Sequence, residues 1–406
     1  MGNIFQNSKI FSKLLMHPLH PIFALLIYAI AFATAYLIRP KNLVEANSSR
    51  YQSIDGLRGF LALGVFVHHA SIWHQYLQIG KWEFPKSKLY NHFGETSVAL
   101  FFMITSFLFV SKLLNNRKTK FNWRSFFIAR FFRMAPVYYV FLAIIVSCTF
   151  IISHGQLKTD FALFAFNTMQ WGAFAIVRPM INDSIYTGLM GGSAWSLPYE
   201  WLFYFGLPLI SLLILRVRPT LWAILLSLVF IYYFYTIHGI YEYYMYSFLG
   251  GTLAAFVIQF KTLLPFLQYK WTGLVLLLCA CSIPQFETSK DIGCLLVIFV
   301  FFTIIAAGNT LFGILKNKTL QFLGDICYST YLLHGLLLFT VFYFGFGFTA
   351  GKNLSPFVYC TVILALTPLL IFISYVSYKW IEKPNIERAK RINKQLDALF
   401  KPKIAE

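Results

Sequence analysis

Charge is scarce in this sequence. Of 406 residues 12% are charged, and acids are rarer than bases, with 15 Asp and Glu against 34 Lys and Arg. Soluble domains carry about a quarter charged residues. With 58% hydrophobic residues and a mean hydropathy of +0.65, an ordinary soluble globule is excluded. Short alternating segments are missing too, which excludes a transmembrane β-barrel. No internal repeat is visible, so an inverted-repeat transporter architecture gains no support. No hydrophilic stretch is long enough for a second folded domain. The six cysteines lie mostly within apolar runs, and Cys279 and Cys281 lack the spacing and partners of a metal site. Neither a metal nor a disulfide framework is expected.

What is present is a series of apolar runs, each close to the roughly 20 residues needed to cross a hydrocarbon core. They fall at 20–38, 57–75, 97–115, 136–154, 196–215, 219–238, 243–260, 271–286, 291–308, 326–348 and 356–379. The expected fold is an all-α, polytopic membrane helix bundle of about 10–11 transmembrane helices. Three parts are expected. Residues 1–50 form a tail, an extra span and a linker, 51–384 the membrane domain, and 385–406 a basic tail.

A further run at 161–177 is settled by charge. If it does not cross, Arg39, Lys41, Arg50 and Arg58 face one side. With them go the 112–133 loop, Arg216, Arg218, Lys261, Lys270, Lys316, Lys318 and the tail from Lys379. That bias fits the positive-inside rule, and crossing would abolish it. Residues 161–199 are therefore expected to form an external or re-entrant segment lining a cavity. The protein is expected in the cytoplasmic (inner) membrane with its C-terminus cytoplasmic. Lys9 and Lys13 before the first run, and Ala33-Thr34-Ala35 near its end, are like a signal peptide. Arg39-Pro40-Lys41 and the length of the run favour a retained span with its N-terminus outside. The excess of 19 positive charges sits in short loops beside these spans, so anionic lipid rather than nucleic acid is the expected partner. The tail is expected as a helix on the lipid surface.

The chain is organised around 51–70, where polar sequence turns apolar at Leu57 and then places His68 and His69 in membrane-grade sequence. An ionisable group inside a bilayer is costly enough to mark a functional site. His69 follows Arg58 by eleven residues, which is about 16 Å along a helix and nearly the same face. His68 points about 100° away.

Other blocks follow in order. Asp55-Gly56-Leu57-Arg58-Gly59 opens the central run, and Phe101-Phe102 with Thr105-Ser106-Phe107-Leu108 comes next. Then come Arg130-Phe131-Phe132-Arg133 with Pro136 and Tyr138, and Trp195-Ser196-Leu197 with Glu200, Phe203 and Tyr204. Leu323-Gly324 with Ile326, Tyr328-Ser329, Tyr331-Leu332 and His334 precedes Ile381-Glu382-Lys383-Pro384. From about Tyr51 to Pro384 the set resembles the integral-membrane acyltransferase-3 family. Two positions depart from its pattern. Ser106 stands where a glycine is usual, and Trp201 where a second carboxylate is usual.

The resemblance implies an O-acyltransferase of cell-surface carbohydrates. Such a protein moves an acyl group, usually acetyl from acetyl-CoA, onto a hydroxyl of an extracytoplasmic glycan or lipid-linked saccharide. Lipopolysaccharide O-antigen, exopolysaccharide and peptidoglycan are acceptors of that kind. Many members carry an esterase-like domain after the membrane part. None follows Pro384 here, so acyl hand-off is expected to need the membrane domain alone or a partner protein.

The residue types suit that chemistry. Neutral imidazole can take the acceptor's proton or carry the acyl group, and His69 is the candidate. Glu200 either orients a cation or histidine, binds acceptor hydroxyls, titrates, or caps its helix. Arg130 and Arg133 lie one helical turn apart at a span entrance and suit the phosphates of coenzyme A, with Arg58 and His334 as further donor contacts. Trp195 can stack on a sugar, with Ser196 and Asp55 as acceptor contacts; Asp55 can also pair with Arg58 or cap the helix behind Ser53. A transporter or flippase for a lipid-linked sugar is the alternative, and a catalytically dead scaffold a third reading.

Overall fold

The computed structural model describes residues 17–40, 51–115, 121–214 and 218–399. Lys9, Lys13, Lys41, Arg50, Arg117, Lys118, Lys120, Arg216 and the last seven tail positions, 400–406, lie outside the described residues. The described residues are helical and contain no strand. Helices stand at every apolar run read from the sequence: α1 (Pro21–Ile38), α2 (Gln52–Ile79), α3 (Lys88–Asn115) and α4 (Trp123–Ile152). They are followed by α5 (Phe161–Gly172), α6 (Leu197–Leu213), α7 (Leu221–Ile237), α8 (Glu242–Val257), α9 (Thr272–Ser282) and α10 (Ile292–Ala306). The chain ends with α11 (Lys318–Asp325), α12 (Cys327–Phe339), α13 (Pro356–Ser377) and α14 (Lys383–Leu399). Among the described residues five helices are long and apolar enough to cross a membrane. The shorter apolar helices α7, α9 and α10 add to them, and the protein is a multi-pass membrane protein.

Local signals set the ends. His20 accepts from the Ile22 N–H ahead of Pro21 and starts α1, and Asn122 accepts from the Ser125 N–H and starts α4. Gly80, at φ 71°, ends α2 in the left-handed conformation that favours glycine. At 12 residues, α5 is about 18 Å long, too short for a hydrocarbon core of about 30 Å. The run at 161–177 therefore does not cross as a single helix.

Contacts divide the described residues into two compact units. The first takes the described parts of Met1–Ser111 and Tyr241–Ser374. Its axis is α2, which packs most extensively on α11 and α12. A Cβ at Gly56 would collide with the Leu315 carbonyl, and one at Gly324 with the Asp55 carbonyl. These two glycines let the backbones touch. On other sides, the Tyr28 hydroxyl of α1 donates to the Phe60 carbonyl at 3.1 Å, and the Tyr359 hydroxyl of α13 to the Ala70 carbonyl at 2.5 Å. Ser53 donates to the Ile305 carbonyl rather than capping α2. The loop before α10 is fastened to α3 by Glu95, which accepts from the Thr288 hydroxyl at 2.7 Å and the Ser289 N–H at 3.0 Å.

The second unit takes the described parts of Lys112–Ile240 and Tyr375–Glu406. Here α6 packs on α7, and α14 on α4. The basic tail helix thus has a protein partner. Arg124 meets Asp397 at 2.6 Å, and Ala389 is buried. After α4 the chain folds around buried Asn182, which donates to Ser153 Oγ and the Gln156 carbonyl and accepts from the Lys158 N–H at 2.7 Å. Trp171 is fully buried beside it, donating to the Pro179 carbonyl and accepting from the Tyr138 hydroxyl.

Candidate active site

In the first unit, α2 and α12 bring two histidines together that are 265 positions apart in sequence. His334 Nε2 lies 3.2 Å from His69 Nδ1, with ring centroids 4.8 Å apart. The same Nδ1 of His69 faces the Val65 carbonyl at 3.0 Å, one turn back on α2. His334 Nδ1 faces the Thr330 carbonyl at 3.2 Å, one turn back on α12. Both rings are thus held against their own helix by a backbone acceptor. Among the described residues His69 Nε2 has no hydrogen-bond partner. His69 is partly exposed and His334 fully buried.

His68 turns the other way. Its Nδ1 donates to the Tyr90 carbonyl at 2.8 Å, and a Cβ on Gly94 would strike its ring. It serves as packing between α2 and α3. At the other end of α2, Arg58 Nη1 is 3.7 Å from Asp55 Oδ1, and both side chains keep partial exposure. Asp55 and Arg58 thus form a loose i,i+3 ion pair on α2.

The second unit gathers the other candidates. The Tyr204 hydroxyl donates to Glu200 Oε2 at 3.1 Å, one turn further along α6. Arg130 hydrogen-bonds Tyr204 and lies within the field of Glu200. A half-buried guanidinium, a buried phenol and a half-buried carboxylate form one polar chain there. Arg133 Nη2 stands 3.7 Å from Oε1 of Glu382, which is fully buried in the π-helical turn between α13 and α14. Ser196 is buried at the N-cap of α6. Trp195 is half-buried and packs edge-on to Tyr199 at 6.5 Å.

Tyr204 and Glu382 stand in the sequence blocks but were not expected in the site. The first had a readable signal, since it follows Glu200 by four residues on a helix. Glu382 had none, because its pairing depends on how α13 continues into α14.

Compared with known proteins, residues 51–378 match the family model for the acyltransferase domain, acyltransferase 3. No curated protein and no solved structure matches the chain.

Proposed function

The chain belongs to the acyltransferase-3 family and is a membrane acyltransferase, and from that premise we propose that it O-acetylates a glycan of the cell envelope. The donor is acetyl-CoA presented at the cytoplasmic face of the inner membrane. The acceptor is a hydroxyl of an extracytoplasmic polysaccharide or lipid-linked saccharide. The observation that carries the reading is Nε2 of His69, an imidazole nitrogen on α2 left without a hydrogen-bond partner among the described residues.

The chemistry asks little more. As the acceptor oxygen attacks the thioester carbonyl, His69 Nε2 takes its proton. Collapse of the tetrahedral intermediate expels the coenzyme A thiolate, which recovers that proton from the imidazolium. Arg130 and Arg133 are assigned to the coenzyme A phosphates. Arg133 already pairs with Glu382, so its guanidinium is held in place before a phosphate arrives. Glu200, oriented by Tyr204, suits acceptance of sugar hydroxyls, and Trp195 supplies an aromatic face beside Ser196.

The test uses sealed proteoliposomes, acetyl-labelled acetyl-CoA and crude envelope glycans. The expected result is free coenzyme A together with label on the glycan as a base-labile ester. Label remaining on protein when acceptor is withheld would show that transfer proceeds through an acyl-enzyme. Movement of glycan across the vesicle membrane with no thioester cleavage would overturn the reading in favour of a flippase.

A further inference from the structure

The geometry points to His334 as the positioning residue that fixes the proton of His69, rather than as a contact for the donor thioester. The inference rests on the reading of His69 as the base of acyl transfer. It begins with what a carbonyl can do. A carbonyl oxygen only accepts, so a ring nitrogen at hydrogen-bond distance from one must carry a proton. The Thr330 carbonyl, 3.2 Å from His334 Nδ1, therefore places that ring's proton on Nδ1. Neutral His334 then has its lone pair on Nε2, the atom 3.2 Å from His69 Nδ1. The Val65 carbonyl, at 3.0 Å, asks for a proton on that same Nδ1.

Both acceptors call for one tautomer of His69, with Nδ1–H shared between them and the lone pair on Nε2. The opposite tautomer would set the Nδ1 lone pair against a carbonyl oxygen and against the lone pair of His334. His69 is thus pre-set as a base at its open nitrogen.

When Nε2 takes the acceptor's proton, the ring becomes an imidazolium and its Nδ1–H bond to His334 becomes charge-assisted, hence stronger. Nucleophile–base pairs commonly have a third group that orients the base, often a carboxylate. In a bilayer a buried carboxylate is expensive. A neutral imidazole supplies the same acceptor without a permanent charge, and His334 is fully buried.

Three variants test this against donor binding: His334→Ala, His334→Gln and His334→Asn. The expected result for His334→Ala is a loss of turnover of about 100-fold, the low end for general base catalysis, with the KM for acetyl-CoA unchanged. The amide variants retain an oxygen that can accept from His69 Nδ1–H, and one of them is expected to restore roughly a tenth of wild-type turnover. A raised donor KM at unchanged turnover would overturn the inference, as would full activity in His334→Ala.

A second readout does not depend on activity. In nitrogen spectra of histidine-labelled protein in lipid, His69 should show the Nδ1–H tautomer in the wild type and a mixture in His334→Ala. An Nε2–H tautomer of His69 in the wild type overturns the inference. If the wild type releases no coenzyme A, the donor reading falls, while these spectra still decide the role of His334.

Discussion

Gly56→Ala is expected to destabilise the protein although it improves helix propensity. Two effects of opposite sign meet there. Ala is better than Gly inside a helix by about 1 kcal/mol. The new Cβ, however, would occupy the space of the Leu315 carbonyl oxygen. Overpacking costs about 1–3 kcal/mol, and the upper end applies because a backbone carbonyl cannot swing aside as a flexible side chain can. The balance is a loss of about 2 kcal/mol. Gly206, within α6, supplies the control, because a Cβ there meets nothing within 4 Å. Gly206→Ala should gain roughly 0.5–1 kcal/mol. At about 2–4 °C per kcal/mol, Gly56→Ala lowers the unfolding temperature by about 4–8 °C and Gly206→Ala raises it by about 1–4 °C. Heating detergent-solubilised protein while following tryptophan emission measures both. Equal or higher stability of Gly56→Ala would refute the close approach of α2 to the turn before α11.

Glu95→Ala removes the acceptor of the Thr288 hydroxyl and the Ser289 N–H; hydrogen bonds to a charged group are worth about 1.5–3 kcal/mol each. Amide exchange at 288–290 should accelerate at least tenfold, on the order of one such bond, and unchanged protection would count against the clasp. Asn182→Ala deletes three hydrogen bonds and leaves Ala at a φ of 52°, a conformation it tolerates poorly. Limited proteolysis should then cut within 153–187 first, and a cleavage pattern like the wild type's would contradict the structural role of Asn182.

Much of this was legible in the sequence because lipid imposes length and hydropathy on each span. The starts of helices were less so. Helix α3 begins at Lys88, well before the apolar run at 97, because its polar first turns pack under the loop that Glu95 holds. His69 stood out by its spacing from Arg58. The role of His334 did not, since a partner 265 positions away leaves no local trace. The division into two compact units was also hidden. Lipid-facing and core-facing positions are both apolar in a membrane protein, so hydropathy does not mark which surfaces pack. Pairing of Arg133 with Glu382 depends likewise on tertiary structure.

The most direct measurement is coenzyme A release from acetyl-CoA by purified wild type and His69→Ala in the presence of acceptor, with acetyl-CoA binding followed in parallel. The account predicts a loss of at least 100-fold in turnover, in the range for removal of a general base, with donor binding retained. Turnover by His69→Ala at the wild-type rate would contradict it.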